Sequence, residues 1–187
     1  MLDLAVGAIR DGDGGTNRGA VYILFLTTSG TVSSYQKISD TVGSDTVGSF
    51  APTLGNDDMF GWSLAPIGDL NGDGGARSLP KPRYTALQAH THASWLIDIR
   101  LVGLPHTNTV LDLAVGAIAD DDGGTNHGAV YILFLTTSGT VSSFQKISDT
   151  VGDFTATFTE AEEFGASVAQ IGDLNNDGGA RSSPQLC

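Results

Sequence analysis

Residues 2–43 read LDLAVGAIRDGDGGTNRGAVYILFLTTSGTVSSYQKISDTVG, and residues 111–152 read LDLAVGAIADDDGGTNHGAVYILFLTTSGTVSSFQKISDTVG. Of 42 positions, 38 are identical. A second matched pair follows each copy, FGWSLAPIGDLNGDGGARS from Phe60 and FGASVAQIGDLNNDGGARS from Phe164. Repetition at this length is the first thing to read in a chain, because each unit then represents one supersecondary block. Within a unit, LDLAVGAI and GAVYILFL are short apolar runs, the second rich in β-branched and aromatic residues. SSYQKISDTV alternates polar and apolar, and FGWSLAPIGDL supplies a fourth run. Gly, Asp, Asn and Ser punctuate all four, which predicts strands rather than helices. Continuous apolar runs suit strands buried on both faces. The expected fold is therefore all-β, with about two four-stranded antiparallel propeller blades forming an incomplete propeller. A solenoid fits less well, because the unit is longer than typical solenoid repeats.

Composition narrows the function. The 187 residues carry 21 Asp+Glu against 9 Lys+Arg, a net charge of −12. That charge repels nucleic-acid backbones and anionic membrane surfaces, and it suits cations. No apolar run reaches the roughly 18 residues of a spanning helix. The opening MLDLAVGAIRDGDGG lacks the basic region of a signal peptide. Cys187 is the single cysteine, so neither an internal disulfide nor a cysteine zinc site is expected.

The acidic residues are not scattered. Asp69-Leu-Asn71-Gly-Asp73-Gly74 fits D-x-[DN]-x-[DN]-G, and so does Asp173-Leu-Asn175-Asn-Asp177-Gly178. Oxygen side chains at alternate positions converge on one hard cation, and glycine at position six allows the sharp turn. An EF-hand would need Glu at position twelve, where Pro80 and Pro184 stand, so that reading is rejected. A propeller calcium loop wants a carboxylate at position nine instead. That position holds Arg77 in one copy and Arg181 in the other. Removing residues 75–109 yields DLNGDGVLDLAVGA, with Asp69, Asn71, Asp73 and Asp112 at positions one, three, five and nine. The removed stretch has four basic residues and one acid, with three of the four His and three of the six Pro. Its composition sets it apart, and it reads as an insertion between unit 1 (residues 1–74) and unit 2 (residues 110–187).

The strings FG-x-S, GDLNGDG, DLAVGA and GAVYILF, in this order, resemble the FG-GAP repeats of integrin alpha-subunit β-propellers and related proteins. The resemblance covers both units. It implies calcium bound between the first two strands of a blade, with the FG…SL or FG…SV segment innermost. It further implies an extracellular or cell-surface adhesion role, a protein or glycan ligand, and contact with neighbouring blades or self-association. The chain departs from the family in having two units where integrins have seven blades. Its first loop is interrupted, and the second runs into RSSPQLC without its position-nine Asp. Asp3 stands where position nine of an upstream loop would be. Both interruptions begin DGGARS, which reads as an exon end continued into intron-like sequence. Spliced messages that retain codons 75 to 109 would contradict that origin. Two other readings stand beside the adhesion module: the scaffold propeller of a secreted hydrolase or lectin-like protein, and a non-functional gene-model fragment.

The remaining candidates are weaker. Asp11-Gly-Asp13-Gly-Gly and Asp120-Asp-Asp122-Gly-Gly could form a second cation site, but they read better as acidic turns with glycines supplying positive φ. TNRG and TNHG continue those turns. His90, His92 and His106 lack fixed metal-ligand spacing. Residues 85–104 have the apolar content of a helix. No nucleophile motif appears, so no enzyme activity is expected. Trp62 and the Phe and Tyr residues of the repeats are expected in the core.

Overall fold

In a computed structural model, the structure describes residues 3–43, 50, 52–71, 110–159, 161–172 and 174. These residues are all-β and contain no helix, so none long and apolar enough to cross a membrane. The helix expected at residues 85–104 lies outside them, as do His90, His92 and His106.

Seven strands form two antiparallel sheets. The first sheet has the order β1 (Leu4–Ala8), β2 (Ala20–Leu26), β3 (Val32–Ser39). The second has the order β4 (Leu64–Gly68), β5 (Asp112–Ala117), β6 (Ala129–Leu135), β7 (Val141–Ile147). Seven of the eight runs read from the sequence fall on these strands, and the identical text AVYILFL forms the inner strands β2 and β6. Each tight hairpin turns through glycine. Gly30 and Gly139 hold φ of 81° and 77°, where a side chain would be strained, and the Thr27 N–H donates to the Thr31 carbonyl at 2.8 Å. The longer turns use Asn17 and Asn126 at φ of 48° and 54°, the left-handed region that asparagine tolerates.

The strands are not shared out four to a unit. β4 comes from the first unit but pairs with β5 of the second, in the register Leu64↔Val115, Ala65↔Ala114, Pro66↔Leu113, Gly68↔Asp112. The matching run of unit 2, from Phe164, forms no strand among the described residues; its ladder contact is the bridge Gly128↔Phe164. A strand needs a partner ladder to satisfy its backbone groups. β4 finds one in the next unit, and residues 167–172 have none among the described residues.

The core lies between the sheets. Val21, Ile23 and Ile38 of the first sheet meet Val115, Tyr131, Leu133 and Val141 of the second. Phe60 fills the junction, edge-on to Tyr131 at 5.4 Å and beside Phe50 at 5.9 Å. Trp62 is an exception to the expected burial and is exposed. Its backbone N–H is tied to the Gly116 carbonyl at 3.1 Å within the corner joining the sheets. Tyr35 is exposed too, because nothing among the described residues covers that face of the first sheet.

Candidate functional site

Two acidic constellations emerge from this frame. The first lies where β4 ends and β5 begins. Gly68 ends β4 opposite Asp112, so the chain after residues 72–109 returns beside the place it left. The buried Asp112 carboxylate accepts the Leu70 N–H at 2.8 Å on one oxygen and the Leu135 N–H at 3.2 Å on the other. It thus clips the loop residue Leu70 to the end of β6. Asp69 precedes that clip. Both its carboxylate oxygens are shielded from water and have no hydrogen-bond partner. Such an arrangement is costly for a charged group unless something of opposite charge meets it.

Asp69, Asn71 and Asp112 are therefore brought to one end of the β4–β5 pair. Asp73, Asp173, Asn175 and Asp177 lie outside the described residues. Among those described, no three His, Cys, Asp or Glu side chains converge as a metal-holding group. The set read from the sequence takes its other carboxylate, Asp73, from beyond them. In unit 1, Asp3 accepts the Leu26 N–H at 3.1 Å, repeating the Asp112–Leu135 bond at the matching position. The bond to Leu70 belongs to Asp112 alone among the described residues.

The second constellation is the acidic turn, and its charge is met from within the chain. Lys146 Nζ lies 2.8 Å from Asp120 and 2.7 Å from Asp122. The Tyr131 hydroxyl donates to Asp120 at 3.2 Å, and the Lys146 ammonium sits 5.5 Å from the centre of the Tyr131 ring. Unit 1 repeats the arrangement with Lys37 on Asp11 and Asp13 at 2.8 Å and 2.7 Å. Burial pulls the Lys146 pKa down, but hydrogen bonds to Asp120 and Asp122 outweigh it and hold the ammonium above its ordinary range. Lys37 is raised in the same way, against the same burial effect. Its hydrogen bond, followed by that of Ser39, lowers the Asp13 carboxyl. Burial first, then the Asp120 charge, pushes the Tyr131 phenol up. An ammonium already occupies the position a metal would take, which favours the turn reading of these acids over a second cation site. The signal for this pairing lay in the QK dipeptide of both copies, but the 26 residues separating Lys146 from Asp120 hid it from local pattern.

Asp58 borders the second turn, and sequence reading did not single it out. It is buried, and its carboxylate accepts the Gly55 N–H at 2.6 Å. Burial pushes its carboxyl up to about 6, opposed by the Gly55 hydrogen bond and reinforced by the Asp120 charge. Folded Asp58 thus holds a proton at pH values where the unfolded carboxyl, near 3.8, has released it. Its contribution to stability is complete below the unfolded value and is lost as pH rises through about 6. Thermal unfolding followed across that range should show Asp58→Asn gaining on the parent protein as pH rises. Parallel curves for the two proteins would contradict the assignment.

One further pair differs between the units. Arg18 bonds to Asp40 in unit 1, whereas His127 Nδ1 meets Asp149 at 3.0 Å in unit 2. Comparison of the chain with family models, with curated proteins and with solved structures finds no match.

Proposed function

We propose that the chain is a calcium-binding pair of FG-GAP-type propeller blades with a structural and interaction role, similar to integrin alpha adhesion propellers. Calcium would be held by Asp69, Asn71, Asp73 and Asp112, with Asp173, Asn175 and Asp177 supplying part of a second, incomplete loop. The observation that carries this reading is the Asp69 carboxylate, shielded from water with neither oxygen partnered, beside a strand that returns Asp112 to the same place. An oxygen-rich set with two or more carboxylates suits a hard divalent cation, and calcium tolerates its irregular geometry better than magnesium. The acidic surface and the order of the repeat motifs agree with an extracellular module that recognises a protein or glycan. The chain would act by presenting a surface and not by catalysis.

Extracellular modules of this ligand type bind calcium at about 10⁻⁴ to 10⁻³ M. Deleting residues 75–109 places position nine directly after the loop, with less backbone to order on binding. Isothermal titration should therefore show tighter calcium binding in the deletion protein than in the intact chain, and weak binding of magnesium to both. Absence of calcium heat from both proteins would remove the metal assignment.

A further inference from the structure

Two strands of nearly identical sequence have opposite surroundings. Leu4 and Val6 of β1 are 51% and 38% exposed, while their counterparts Leu113 and Val115 of β5 are 5% and 0% exposed. Val32 of β3 is 50% exposed where Val141 of β7 is fully buried. Among the described residues the first sheet packs on that face of β5 and β7, and no sheet packs on the matching face of β1 and β3. β5 has β4 hydrogen-bonded along one edge, whereas β1 pairs only with β2 among the described residues. Meanwhile SVAQIG at residues 167–172, the unit-2 counterpart of SLAPIG at 63–68, pairs with no strand among the described residues, and Ile171 is exposed. Among the described residues, each chain thus carries one open strand position and one unpaired segment of the kind that fills it.

We propose that these two features meet between copies. Residues 167–172 of one copy add as a fourth strand to the free edge of β1 in a second copy, giving a head-to-tail contact. The register follows from β4 on β5: Val168 opposite Val6, Ala169 opposite Ala5, Gln170 opposite Leu4 and Gly172 opposite Asp3. The corner is already formed once within the chain. Gly61 N–H donates to the Gly116 carbonyl at 3.0 Å, and Gly116 N–H donates to the Ser63 carbonyl at 2.9 Å. Gly165 and Ser167 offer the same groups to Gly7 of the second copy. Ser63 Oγ also donates to the Gly165 carbonyl at 2.6 Å, and Ser167 carries the hydroxyl that would repeat this on Gly61 of the second copy.

The apolar faces match in the same way. Val6, Tyr22 and Val32 are the counterparts of Val115, Tyr131 and Val141, which pack against Val21, Ile23 and Ile38 inside the chain. The unit-2 counterparts of that second group are Val130, Ile132 and Ile147. The contact between copies is thus the internal sheet-to-sheet interface repeated once more. Strand addition satisfies backbone groups on an otherwise open edge. Because the two surfaces differ, the contact is heterologous and propagates into a closed ring or an open chain. The net charge of −12 opposes it, so added salt strengthens it.

Sedimentation of the full 187-residue chain over a range of concentrations tests this directly. Mass should grow with concentration. Gly116 turns its N–H toward β4, and alternate residues of a strand share that direction, so Ala5 and Gly7 direct theirs to the free edge. Ala5→Pro blocks that edge, and Ala169→Pro blocks the incoming segment. Each variant alone should stay monomeric, and an equal mixture should form one-to-one heterodimers that grow no further. A wild-type chain that stays monomeric throughout, or proline variants that associate as it does, would overturn the proposal. A second measurement avoids proline. In a Cys187→Ser background, Leu4→Cys and Gln170→Cys chains should form a mixed disulfide on oxidation. Leu4→Cys with Ile171→Cys, whose side chain leaves on the other face, should not. Equal yields in the two mixtures, or no disulfide in either, would also overturn it.

Discussion

Replacing Lys146 with methionine is expected to destabilise the protein by about 3–5 kcal/mol, the cost of leaving a buried charge without its partner. Methionine keeps the apolar stem over Tyr131 and removes the ammonium, so the loss reports the charge and not the packing. Asp120 is buried and would retain the Tyr131 hydroxyl and the Asp122 N–H, which do not neutralise it. The equivalent Lys37→Met should cost less, because water reaches Asp11 more freely than Asp120. Urea midpoints of both variants and the parent protein at neutral pH give the two losses. Equal losses at Lys37 and Lys146 would mean that burial does not set the strength of these bridges.

The second large effect is expected at Phe60. It is fully buried between the sheets, against Phe50 and Tyr131, so Phe60→Ala should cost about 3–5 kcal/mol through lost burial and the cavity left behind. Phe164 occupies the same place in the second FG motif but is only partly buried, stacked on Phe154 at 5.2 Å. Phe164→Ala should cost about 1–2 kcal/mol, in line with its smaller buried area. A cost at Phe164 matching that at Phe60 would show that its surroundings are as closed as those of the first motif. Head-to-tail association would itself raise the Phe164 cost, so dilute solution is the condition for the comparison.

Much of this fold was legible in the repeat. AVYILFL could be read as a buried strand because its apolar run is short, β-branched and ended by polar turns, and both copies obey that reading. The TNRG and TNHG turns were legible because asparagine and glycine are the residues that accept positive φ. The return of Asp112 to β4 could be anticipated from a loop that makes sense only when 35 residues are skipped. What local pattern does not carry is partnership. It assigned four strands to each unit, whereas β4 serves the sheet of the next unit and residues 167–172 find no partner strand among the described residues. It put Trp62 in the core, because bulk and apolarity do not reveal which side of a corner faces solvent. It treated Asp11, Asp13, Asp120 and Asp122 as turn residues without finding their lysines, which only the antiparallel return of the third strand brings into reach.

The calcium reading is tested most directly by Asp69→Asn, because the account gives this one substitution opposite effects in two solutions. Without calcium, the variant removes a shielded, unpartnered carboxylate and should melt above the parent chain by an amount on the order of 1 kcal/mol. With millimolar calcium, the parent chain should gain on the order of 1 kcal/mol per bound ion. The variant should gain little, so its advantage shrinks or reverses. Thermal unfolding of both proteins in chelator and in calcium gives the four melting temperatures needed. A calcium-dependent rise in the parent that Asp69→Asn abolishes is the predicted result. A parent chain indifferent to calcium, or a variant that responds as fully as the parent, would contradict it.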